Sequence, residues 1–554
     1  MFFIFKVLFC VSLLFNLIFL LNFVFNFINV GSEKATVKVP IFGILVGLDD
    51  RKEKVFIDEK SLYKNVLVTG SIGSGKTSSA MYPFTKQLIS FEADNLNKKL
   101  GFLILDVKGN YYSKVCEFAK SVNRLKDVIV IELGGKYKYN PLDKPDLSSI
   151  VLANRLKTIL MLFSPNNTES YWIDKSEQVL ACFIDYCRIY NDGYVSFDEL
   201  HKLVTDYNYF VSKLPLIKKK FIKGMLPKDK CYLLLHSIDF LNNDFFNLDA
   251  RTFNLLKSEI TRITDCFVSD YLVNKTFCPP KDKENFFGFS EVISKGKIVV
   301  LNMNIAEYKN LSKIIAAYLK LDFQTDVLRQ LANSSVPTRT TVFISDEYQE
   351  YVTSSDADFF SQSREAQCIN IVSTQSYTSI LNALNNQYSS KVIIQNLVNK
   401  FWFRTDDIFT IEDIQKQIGK EDKKKFSKTI SENSKDSSYS LISKNFTSSG
   451  SALSESFNSY YQSDFKFDYN FFTQNLKTFE CLSFISNDEN AIIPKHLYMI
   501  PYFKNIWFFI NFINVFLLFI IDNLYFILSF LRVFILYNIF DYISFYFLFR
   551  RLNE

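Results

Sequence analysis

Residues 65–77 read NVLVTGSIGSGKT, and this stretch limits what the chain can fold into more than any other. Val66, Leu67 and Val68 form a short apolar run of the kind buried in a sheet. Gly70, Gly75, Lys76 and Thr77 then satisfy the spacing G-x-x-x-x-G-K-[ST]. Such a loop turns backbone N–H groups inward around phosphate oxygens, and a helix starting behind it points its dipole at the anion. Gly70, Ser71, Gly73, Ser74, Gly75, Lys76, Thr77 and Ser78 are the expected phosphate cradle. Lys76 would reach the β- and γ-phosphates of ATP, and the Thr77 hydroxyl would ligate Mg²⁺.

A phosphate loop on a strand predicts an α/β fold, and strand-like runs at regular intervals extend it. They fall at residues 102–105, 128–131, 298–301, 341–345, 369–373, 400–403 and 478–485. Strands alternating with helices imply a parallel sheet with right-handed crossovers. One run ends in Asp346-Glu347, at the sheet edge where ligands bind. Asp346 suits organising Mg²⁺, and Glu347 suits orienting the attacking water. Gln375 ends the next run and could sense the γ-phosphate or that water. Arg364 and Arg404 are candidates for an arginine finger serving a neighbouring subunit.

The α/β rhythm stops between residues 147 and 290, where Leu152, Leu156, Ile159, Leu160 and Phe163 recur at helical spacing. An all-α insert is expected there, bearing a basic stretch at 213–230. It divides the nucleotide-binding core into 39–146 and 291–425. Residues 426–465 are Ser-rich and polar and read as a flexible segment, with a final core strand within 466–500. Both ends are strongly apolar. Residues 1–38 would make an N-terminal membrane anchor, and 501–554 a membrane segment of one span or a two-span hairpin. Lys34 and Lys38 after the first span would place the core in the cytoplasm.

The remaining composition narrows less. A formal net charge of +6 permits an anionic partner without requiring one. Nine cysteines without ligand spacing and three scattered histidines offer neither a metal site nor a disulfide framework.

Read in order, GSIGSGKT, LDVKG, YNPL, YWIDKSEQ, GKIVVLNM, ISDEYQE, SREAQCINIVSTQS and IGKED make a longer signature. The set resembles the type IV secretion coupling proteins, the TraG/TraD group of conjugative DNA-transfer ATPases. The resemblance implies a RecA-like P-loop NTPase core with an inserted all-α domain, a bacterial inner-membrane anchor and a homo-hexameric ring. It implies ATP hydrolysis that moves DNA, a relaxase or an effector protein toward inner-membrane channel components. It also favours Arg364 over Arg404 as the finger. Asn110 departs from the pattern, standing where the family carries an acid after Asp106-Val107-Lys108-Gly109. Rival readings are a chromosome-type DNA pump, a channel-assembly ATPase and a nucleotide-gated receptor with little turnover.

Overall fold

The computed structural model describes residues 42–503 other than 107, 164–169, 333–338, 434–437, 440–445, 448–451 and 487–491, together with 535, 536 and 539. Its strands, in chain order, are β1 (Gly43–Asp49), β2 (Lys54–Asp58), β3 (Val66–Thr69), β4 (Gly101–Leu105), β5 (Val128–Ile131), β6 (Ile298–Leu301), β7 (Thr341–Ser345) and β8 (Cys368–Thr374). There follow β9 (Asn399–Phe403), β10 (Lys420–Asn433), β11 (Ser438–Tyr439), β12 (Phe446–Thr447), β13 (Ala452–Phe465), β14 (Glu480–Phe484) and β15 (Lys495–Met499).

Eleven of these form one sheet in the order β2-β1-β15-β14-β9-β3-β8-β7-β4-β6-β5. From β9 to β5 every neighbouring pair is parallel, and from β9 to β2 every neighbouring pair is antiparallel. A strand buried on both faces reads as an unbroken apolar run, and its alternate residues feed two different cores. Val66 and Val68 of β3, with Phe102 and Ile104 of β4, pack on one side. Leu67, Leu103 and Leu105 pack on the other. The second side also carries the helices of residues 149–277, so sheet and insert share one apolar core.

Those helices start where the sequence caps them. Ser196 accepts from the Glu199 N–H, and Asp206, Asp249 and Asp270 cap the helices that follow them. The insert is fastened to the core at Asp322, on the long helix Ile305–Ala332, which is broken at Lys309 (φ 46°). Asp322 is buried. It accepts from Tyr139 of the YNPL motif, pairs with Lys144 at 2.9 Å, and pairs with Arg155 of the insert's first helix. Burial pushes the Asp322 carboxyl up, but Lys144 and Arg155 together hold it below the usual carboxylate range.

Two expectations change. The segment expected to be flexible at 426–465 holds parts of two long strands: β10 and β13 pair antiparallel through an unbroken register from Lys420↔Phe465 to Asn433↔Ala452. The last core strand is two, β14 and β15, and β15 joins β1 from the start of the described chain. Among the described residues no helix is long and apolar enough to cross a membrane. The anchors expected at 1–38 and 501–554 lie outside the described residues, apart from 501–503, 535, 536 and 539.

Candidate functional site

The phosphate loop leaves the end of β3 and is clamped by its neighbours. The Ser71 N–H donates to the Arg404 carbonyl at 2.8 Å, and the Ser71 hydroxyl donates to the same oxygen at 3.0 Å. Gly70 has no room for a side chain, since a Cβ there would lie 2.6 Å from the Phe403 Cβ. Gly75 has φ +100°, and a Cβ on it would lie 2.5 Å from the Phe479 ring. The Ser74 hydroxyl donates to the Ser71 carbonyl at 2.8 Å, closing the loop on itself. The helix behind the loop opens with a π-helical turn, Thr77–Met81, and continues as Tyr82–Ser90. Lys76 is buried, its ammonium donating to the carbonyls of Gly70 and Ser71. Burial pushes its pKa down, and the carboxylates of Glu347 and Asp346 push back.

Strand order decides what meets this loop. β8 lies between β3 and β7, so the ends of all three strands share one edge. Thr77 Oγ1 donates to Asp346 Oδ2 at 3.0 Å, which brings the two candidate metal ligands together. Ser373 Oγ and the Glu347 N–H both donate to the other Asp346 oxygen. Asp346 is buried, and burial raises its pKa against the hydrogen bond from Ser373, while Asp106 and Glu347 raise it further. Asp106 is buried too. Its Oδ2 accepts from the N–H groups of Asn110 and Tyr111 at 3.1 Å each, and its Oδ1 has no partner among the described residues. Two buried carboxylates, one orphaned oxygen and the Thr77 hydroxyl are a donor set that fits a hard divalent cation.

Glu347 sits in the left-handed region (φ 51°), which is uncommon for a side chain of this kind. Its Oε2 accepts from Gln349 at 2.8 Å and from Gln375 at 3.2 Å. Lys108 Nζ stands 3.7 Å from Oε1. The glutamate is therefore oriented by two amides and a cation. Gln375, the residue expected to sense the γ-phosphate or the water, touches the Glu347 carboxylate.

The two arginines are placed differently. Arg364 is exposed, in the turn 363–367 between helix Asp356–Gln362 and β8. β8 runs parallel to β3, so Arg364 sits at the opposite sheet edge from its own phosphate loop. The separation is a whole strand of seven residues, or ~23 Å. Arg404 follows β9 at the same edge as the loop, with its carbonyl built into the loop.

Sequence reasoning gave no role to Lys108, Gln349, Ser373 or Phe479. Lys108 belongs to the LDVKG motif, and its meeting with Glu347 follows from the pairing of β4 with β7. Phe479 lies against Gly75 with φ +70°, and its N–H donates to the Ser74 carbonyl at 3.1 Å.

A parallel sheet with this loop and carboxylate at one edge has the P-loop NTPase fold. Solved structures with the same fold include those of TrwB, described as a bacterial conjugative coupling protein. Its unbound monoclinic form superposes with a TM-score of 0.51 at 12% identity, over 82% of this chain and 88% of that one. Its complex with the non-hydrolysable GTP analogue GDPNP gives 0.52 at 12% identity, over 84% and 96%. Its complex with ADP and Mg²⁺ gives 0.51 at 12% identity, over 80% and 87%. No protein-family model matches the sequence, and no curated protein matches it. The resemblance to the coupling proteins holds at the level of the fold.

Proposed function

We propose that the protein is a membrane-anchored, Mg²⁺-dependent ATPase of the coupling type. In this reading it forms a homo-hexameric ring on the cytoplasmic face of the bacterial inner membrane. Hydrolysis at subunit interfaces moves DNA, or a relaxase or effector protein, toward a secretion channel. The observation that carries the reading is the convergence at one sheet edge. The loop with Lys76, the Thr77–Asp346 pair and the oriented Glu347 meet there across three adjacent strands. Thr77 and Asp346 would hold Mg²⁺, which when bound neutralises charge on the transferring phosphoryl group. Lys76 would bind the β- and γ-phosphates from the loop side. Glu347 would hold the attacking water in line, and the amides of Gln349 and Gln375 keep that carboxylate aimed.

The test is Glu347→Gln in the full chain. It keeps the amide contacts but removes the base, so ATP should bind and persist in an ATP-loaded ring. Pull-down from membranes should then recover more cargo than wild type recovers. Recovery of neither nucleic acid nor protein above the wild-type level argues against a translocase.

Arg364 supplies a second test, aimed at the ring. It lies across the sheet from its own loop, and in a ring it would face a neighbour's ATP. Arg364→Ala should bind ATP and assemble, yet lose on the order of 10³-fold in hydrolysis. Mixing it with Lys76→Ala should restore part of the activity, because some interfaces then pair an intact loop with an intact finger. Rescue by Arg404→Ala in place of Arg364→Ala moves the finger to Arg404.

A further inference from the structure

The ribbon of β10 and β13 has two unlike faces. Cross-strand partners share a face, so Lys420, Asp422, Lys424, Phe426 and Lys428 lie with Phe465, Ser463, Tyr461, Ser459 and Phe457. The other face, over the same length, carries Glu421, Lys423, Lys425 and Asp464, whose charges cancel, and one exposed ring, Tyr460. There Lys425 pairs with Asp464 at 2.6 Å, and Lys423 lies 4.0 Å from Glu421. The first face keeps an excess of lysine and is lined by rings. Phe426 is 75% exposed, Phe457 70% and Tyr461 71%, which is unusual for side chains of this size. Lysine and ring alternate along it: Lys420 lies 5.1 Å from the Phe465 ring, Lys424 5.4 Å from Phe426, and Lys428 5.3 Å from Phe457.

We infer that this face binds single-stranded DNA without regard to sequence, an inference that rests on DNA being the cargo. Interleaved cations and rings match a polymer that alternates phosphate and base. Lysines neutralise phosphates, and every base offers a π-face to Phe426, Phe457 and Tyr461. Same-face positions recur every ~6.7 Å along a strand, a step comparable with that of an extended single strand. Duplex would leave the exposed rings without bases to stack on. An anionic membrane would favour rings and lysines in separate bands rather than alternating. The ribbon is rooted where Lys466 N–H donates to the Gly419 carbonyl at 3.2 Å, directly after helix Ile408–Ile418, which itself follows β9 and the phosphate-loop partner Arg404.

The experiment uses the full chain in detergent and fluorescein-labelled oligo-dT, read by anisotropy between 50 and 200 mM salt. The variant Lys420→Gln/Lys424→Gln should bind at least about 5-fold more weakly and lower the log–log salt slope by about 1.4, at ~0.7 per phosphate contact. The variant Phe426→Ala/Phe457→Ala/Tyr461→Ala should lose at least about 10-fold in affinity with the slope unchanged. Basal hydrolysis without DNA should equal wild type in both, which certifies the fold. Lys424→Gln alone, with a smaller shift, serves if either variant aggregates. Wild-type binding with both variants within two-fold overturns the assignment and leaves DNA as cargo. No oligo-dT binding by wild type at 50 mM salt overturns both. Unchanged binding with a smaller oligomer by light scattering overturns it in favour of a contact between copies.

Discussion

Replacing Lys76 with alanine is expected to reduce ATP hydrolysis by about 10²–10³-fold or more while leaving the protein folded. The side chain is buried, yet its ammonium is hydrogen-bonded to the carbonyls of Gly70 and Ser71 of its own loop. Those bonds hold no other element in place. The loop is fixed independently by Ser71 on the Arg404 carbonyl and by Ser74 on Ser71. Removing the charge therefore takes away the group proposed to bind the phosphates and little of the scaffold. Phosphate release in the steady state and a thermal melt check the two halves. Activity within a few-fold of wild type removes Lys76 from the catalytic set.

The second large effect is expected at Asp356, away from the phosphates. Lys320 and Asp356 form a completely buried ion pair at 2.6 Å. Lys320 also donates to the Tyr351 carbonyl at 2.6 Å and to Thr353 Oγ1 at 2.9 Å. Asp356 accepts from Tyr348 Oη at 2.6 Å, the Thr353 N–H at 2.9 Å and Gln324 Nε2 at 2.8 Å. The pair thus ties down Tyr348, Tyr351 and Thr353 of the segment after Glu347. Burial pushes the Lys320 pKa down, and Asp356 opposes it. Asp356→Ala leaves an uncompensated buried cation, a loss of about 3–5 kcal/mol. The core's melting transition should fall by several degrees, and Glu347 should lose its fixed position. The double variant Lys320→Met/Asp356→Leu should recover most of the stability, because an apolar pair of similar volume carries no desolvation cost. A double variant as unstable as Asp356→Ala shows that the hydrogen bonds, rather than the stranded charge, set the loss.

The central strands were legible because burial on both faces writes an apolar run. Val66–Thr69, Gly101–Leu105 and Ile298–Leu301 are such runs, each ended or followed by a polar residue. The helical insert was legible for the matching reason, an apolar stripe at helical period. The ribbon was not. Lys420–Asn433 has a partner strand but no core beneath it, so neither face carries a continuous apolar code, and serines spread through the region read as disorder. Contacts that depend on strand order were also hidden. Lys108 meets Glu347 because β4 pairs with β7, and no local pattern states which strands are neighbours. Phe479 owes its place to a left-handed backbone, which the identity of a phenylalanine does not announce.

One helix ties the two ends of this arrangement together. Lys320 and Asp322 stand two residues apart on helix Ile305–Ala332, which turns them to nearly opposite sides. Lys320 grips the segment that follows Glu347, and Asp322 grips Tyr139, Lys144 and the insert's Arg155. The helix is thus a drive shaft with a coupling on each flank, both buried and both charged. A displacement of the segment behind Glu347 would meet the all-α insert's anchor on the opposite flank of the same helix, within a single helical turn.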